Sequence, residues 1–161
     1  MSDYLSSEQM LHILHVARTE YGTREHAMFL LACMHGLRSS EIATLQVADV
    51  QDGRIDVRRL KDSLRTVQPL QTHANPLLDE PTVLAAWLRE RGDGDGSRFL
   101  FTSRQGSAMC RRQVYRLFEA IAIRAGIPAR SPQSASVQAL PRVHAYPQRR
   151  EPRACPTGSR T

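Results

Sequence analysis

The chain has 161 residues, 41% of them hydrophobic and 24% charged, with a net charge of +6. That length builds one domain with a real core. No apolar run approaches the roughly 20 residues of a membrane span, and no charged start leads into an apolar stretch, so a cytoplasmic chain with no membrane partner is expected. Cys33, Cys110 and Cys155 are odd in number and lack metal-ligand spacing, which fits reduced thiols and no metal site. The positive charge suits a nucleic-acid partner, but it is uneven. Residues 1–130 hold 17 Lys plus Arg against 15 Asp plus Glu, a net of +2, while 131–161 hold 5 against 1, a net of +4. The case for DNA therefore rests on individual arginines rather than on bulk charge.

In chain order, Ser6-x-x-Gln9 is a capping box for a helix to about Arg18, with Met10, Ile13, Leu14 and Ala17 on one face. His12 and His15 lie three apart beside it, without a third ligand nearby, and read as a solvated flank. Thr23 can cap the next helix, whose run from Ala27 to Met34 is apolar almost all round and should be the buried centre. Gly36 follows that run where a left-handed cap is wanted. Ser39 or Ser40 can cap a further helix carrying Glu41 in its first turn. Arg38 is thus held in a short corner between two helices. Its guanidinium could meet a phosphate there, or it could merely pair with Glu41.

Gln51-Asp52-Gly53 is a turn signal, followed by a period-two strand at Arg54–Arg58 and another at Arg65–Pro69, joined by Leu60 to Leu64. Asp79 to about Arg91 reads as a helix over the core, and Gly92-Asp93-Gly94-Asp95-Gly96 as a connector without calcium-loop spacing. Phe99–Thr102 reads as a short apolar strand. A last helix carries a stripe of Val114, Leu117, Phe118, Ile121, Ala122 and Ala125 and stops at Gly126 and Pro128. Arg111, Arg112 and Arg116 stand at its start, where side chains and free amides can meet phosphates or simply face water. The class expected is mainly α with a small antiparallel sheet (α+β).

Lys61 is the only lysine beside 21 arginines. Arginine cannot release a proton near neutrality, so a general acid at this place would need lysine; a solvated loop lysine is the alternative.

Gly36-Leu37-Arg38-Ser39-Ser40-Glu41-Ile42 resembles the first arginine box of the tyrosine recombinases, the phage-integrase family. Tyr4-Leu5-Ser6-Ser7-Glu8-Gln9 resembles the opening of that family's catalytic domain, and Leu45 and Asp49-Val50 match its next apolar and acidic positions. The resemblance runs from about Tyr4 to Pro128, and in layout is nearest to the small recombinases that invert the fimbrial switch. It implies metal-independent breakage and rejoining of double-stranded DNA, with no cofactor and no small-molecule substrate. It assigns Arg38 to the scissile phosphate, and Lys61, in Arg59-Leu60-Lys61, to protonation of the leaving 5′ oxygen. It lays the region of Arg111 and Arg112 along the DNA backbone. Self-association or an intact recombinase are the protein partners implied.

The chain is short for such a catalytic domain. Residues 131–161 contain five of the nine prolines and no sustained periodicity, which reads as a disordered tail after a 1–130 catalytic-domain-like fragment. The family's His-x-Leu-Arg-His helix and tyrosine segment have no counterpart there; Tyr4, Tyr21, Tyr115 and Tyr146 all lack the matching surroundings. Over Ala135 to Tyr146, synonymous codons read one nucleotide later permit His-x-Phe-Lys-His-Ser-Arg-Ala-Ser-Thr-Leu, which resembles the missing second box. The tail is therefore expected to be either an out-of-frame reading of that helix or a genuine disordered segment. In either case the chain alone should be inactive.

Overall fold

The computed structural model describes residues 6–58, 65–92 and 96–127. Five α-helices and a three-stranded antiparallel sheet are seen among them, the mainly helical α+β arrangement expected.

Helix α1 (Ser7–Val16) starts on the capping box read from the sequence: the Gln9 N–H donates to Ser6 Oγ at 3.1 Å and the Ser6 N–H to Gln9 Oε1 at 2.9 Å. Met10, Ile13, Leu14 and Val16 are buried, while His12 and His15 are exposed. A π-helical turn, Ala17–Tyr21, links α1 to α2 (Thr23–His35). The N-cap of α2 is Gly22 rather than Thr23, which is the first helical residue and lies buried with its hydroxyl accepting from Arg18. From Ala27 to Cys33 every residue of α2 is buried, so this is the central helix the apolar run predicts.

Gly36 closes α2 at φ 62°, a backbone region that costs a residue with a Cβ about 1 kcal/mol or more. Leu37 then donates its N–H to Ala32 at 3.1 Å, completing the cap. Helix α3 (Ser39–Thr44) follows after a single extended residue, Arg38. A 3-10 turn (Val47–Asp49) leads into β1 (Val50–Gln51), which pairs with β2 (Arg54–Arg58), and β2 pairs with β3 (Arg65–Pro69). The β1–β2 turn has Asp52 and Gly53 both at positive φ, 51° and 69°, as a type I′ hairpin requires. Pro69 lies at the end of an edge strand, where its missing N–H costs nothing.

Helix α4 (Glu80–Arg91) tolerates Pro81 in its first turn and packs on α2; α5 (Arg111–Arg124) packs on α3 and α1. Phe99–Thr102 does not form the expected strand. Only single bridges form, Gln46 with Phe99 and Thr102 with Ala108, because each end of the segment meets a different partner. Its side chains still build the core: Leu100 and Phe101 are fully buried, and the Trp87 indole N–H donates to the Leu100 carbonyl at 2.9 Å. Phe29 and Phe118 meet with ring centroids 4.8 Å apart, tying α5 to the central helix. Each such aromatic contributes roughly 1.5–3 kcal/mol by leaving water.

Candidate functional site

The corner between α2 and α3 gathers the polar groups of interest. Arg38 is the N-cap of α3, at φ −81° and ψ 159°, so neither Ser39 nor Ser40 fills the capping role expected of them. The reason is Glu41. Its carboxylate, buried at 3% exposure, accepts the Arg38 peptide N–H at 2.8 Å and fixes the start of the helix from within. An arginine side chain has no acceptor to offer in return. Ser39 is turned inward and buried.

This arrangement bears on the two readings of Arg38. Glu41 serves the backbone, and among the described residues no acidic group pairs with the Arg38 guanidinium. Arg38 itself is half-buried. A planar cation on a corner fixed by a glycine cap and a buried carboxylate can bind a phosphate bidentately with little loss of freedom.

Directly behind the corner lies a buried polar cluster that periodicity could not reveal. His35, the last residue of α2, places Nδ1 2.8 Å from Gln68 Oε1 on β3 and Nε2 2.8 Å from Glu80 Oε1 at the start of α4. The side chains of His35 and Glu80 are 2% and 0% exposed. The second Glu80 oxygen accepts the Gln71 N–H at 2.6 Å. Glu80 reads in the sequence only as an early helix residue, and its partners are 45 and 9 positions away.

Lys61 lies outside the described residues, as does the segment that joins β2 to β3. Arg111 and Arg112 are exposed on the first turn of α5, with Arg116 one turn on, and α5 packs against the helix that Arg38 caps. The Cys110 N–H is taken by Gln113 Oε1 at 2.8 Å, so one amide of that helix start is already satisfied. A cleft opens at the far end of α2, beside Thr23 and Thr102. Its Arg24 is committed to Glu25 and to the Thr102 carbonyl. Among the described residues, no cluster of histidine, cysteine or carboxylate side chains has the arrangement of a metal site, and no helix is long and apolar enough to cross a membrane.

The capped glycine corner presents one arginine beside a three-stranded sheet within a helical domain. The chain belongs to the phage integrase family, whose model matches residues 3–137.

Among its relatives is the type 1 fimbriae regulatory protein FimE of Escherichia coli K12, 38% identical over 110 residues, or 65% of this chain and 52% of that protein. The type 1 fimbriae regulatory protein FimB of the same strain is 29% identical over 130 residues, covering 78% and 62%. The chain thus spans about half the length of the FimE proteins it matches. The fold is that of the lambda integrase catalytic core (TM-score 0.60, 20% identity, 78% of this chain and 71% of that one) and of XerA recombinase (TM-score 0.62, 24% identity, 78% and 44%). Similar structures include a lambda integrase dimer bound to a COC′ core site and a tetramer bound to a Holliday junction.

Proposed function

We propose that this chain is a DNA-binding portion of a site-specific tyrosine recombinase catalytic domain, which holds duplex DNA through its phosphates and does not cut it unaided. The observation that carries this reading is the Arg38 corner: a half-buried arginine without an acidic partner among the described residues, on a backbone that Glu41 and Gly36 hold still. Arg38 takes the scissile phosphate. Lys61 serves the leaving 5′ oxygen, and Arg111 and Arg112 grip the flanking backbone. The dimeric and tetrameric DNA complexes of lambda integrase support assembly on DNA with another copy or with an intact recombinase.

Cleavage needs a nucleophile, and no tyrosine among the 161 residues has the surroundings of the family's tyrosine segment. The purified chain, incubated with nicked suicide duplexes and run on a denaturing gel, therefore leaves all DNA free of protein. A retained band that disappears in Tyr146→Phe or Tyr115→Phe would overturn this. The composition of 131–161 supports a shifted reading frame as the origin of the tail, and the coding DNA decides it. A later frame that carries the His-x-Phe-Lys-His box and stays open to a tyrosine segment supports that origin, whereas an early stop rejects it.

The same basic positions suit a second reading, a non-catalytic module that occupies sites used by an intact recombinase. A DNA footprint without cleavage that slows an intact enzyme would favour it.

A further inference from the structure

We infer that His35 is a positioning residue for Arg38, acting through its simultaneous hold on β3 and α4; this rests on the phosphate role proposed for Arg38.

The chain from His35 to Arg38 has almost no slack. Gly36 is locked in the left-handed cap, and Leu37 is buried with its N–H bonded back to Ala32. Arg38 is then tied by its own N–H to Glu41. The end of α2 therefore sets where the guanidinium starts, and His35 is the group that anchors that end. The ring Nε2 stands 2.8 Å from Glu80 Oε1, a close polar contact without hydrogen-bond alignment. The other ring nitrogen meets the Gln68 amide, and Glu80 in turn holds the Gln71 N–H. One imidazole thus joins three elements.

Hydrophobic packing would stabilise this position at least as well, since a buried His–Glu pair loses hydration that its mutual attraction only partly offsets. What the polar cluster adds is a defined distance and direction. Gln68 lies on the strand that begins four residues after Lys61, so the His35–Gln68 contact links the Arg38 corner to the strand following the proposed general acid. Both groups must face one phosphate if the proposed roles hold, and rigid support is what such a pair requires.

The test is a double-mutant cycle read by affinity of the full chain for a duplex of fixed sequence at low salt. Arg38→Ala weakens binding about tenfold in the native background, as expected for a lost hydrogen-bonded charge contact. In His35→Leu and Gln68→Leu backgrounds the same change weakens binding less than about twofold, because the guanidinium is no longer held on target. His35→Leu leaves Glu80 buried without its partner and can fail to melt cooperatively. Gln68→Leu keeps the His35–Glu80 pair and then carries the test. An undiminished tenfold effect of Arg38→Ala in the Gln68→Leu background, with native melting, makes His35 merely structural and overturns the inference while leaving the role of Arg38 intact. No effect of Arg38→Ala in the native background removes both.

Discussion

The Glu41 carboxylate and the Arg38 peptide N–H lie 2.8 Å apart, and that one bond separates the backbone of Arg38 from the fate of its side chain. The buried acid caps the start of α3 through that peptide N–H. Glu41→Ala should therefore act first on folding. Removing the acceptor strands a helix-start N–H and costs about 1–3 kcal/mol, read as a lower urea midpoint at unchanged slope. A variant as stable as the native chain would show that the cap does not hold the corner.

A second expectation concerns Trp87, whose indole N–H donates to the Leu100 carbonyl inside the core. Trp87→Phe keeps much of the apolar contact with Phe101 but leaves that carbonyl without its donor, a loss of about 1–3 kcal/mol. A change in melting temperature too small to measure would mean that Leu100 finds another partner.

Much of the fold was legible because its signals are local. Ser6 and Gln9 are three residues apart, Gly36 follows an apolar run, and Asp52-Gly53 fits only a few turn types, so each could be placed from neighbours alone. The start of α3 was misassigned to a serine because two chemistries compete there, a hydroxyl at Ser39 or Ser40 and the carboxylate of Glu41, and only packing selects between them. Phe99–Thr102 has strand composition, yet its two ends bridge to different segments. The His35 cluster was invisible for a different reason: Gln68 and Glu80 approach it from 33 and 45 residues away, and no periodicity encodes such a meeting.

The pH dependence of stability has a definite sign at His26. Burial pulls this imidazole below its ordinary value of 6.5, the Leu77 carbonyl it bonds opposes that shift, and Arg18 adds to it. As pH falls through 6.5 the unfolded chain takes up a proton that the folded chain resists, so this contribution is complete above about 6.5 and is lost progressively below it. His26→Gln should flatten the fall in unfolding free energy between pH 7 and 5. A slope identical to that of the native chain would show that His26 titrates alike in both states.

The thiols should separate cleanly by reactivity. Burial pushes the Cys33 thiol up to about 12, whereas Cys110 is exposed on the surface. In a Cys155→Ser background, a thiol reagent at pH 8 should modify one cysteine at once and the second only as the chain unfolds. Rapid modification of both under native conditions would show that α2 opens far more readily than its buried face implies.

The most direct measurement of the central claim is the salt dependence of duplex DNA binding for the native chain and for the Arg38→Ala, Arg111→Ala, Arg112→Ala triple variant. Each lost phosphate contact lowers the log-log salt slope by roughly one unit, so the triple variant should bind more weakly with a slope smaller by about three. Equal affinity and equal slope for the two chains would contradict the phosphate site at Arg38 and leave only the positive charge of residues 131–161 to account for binding.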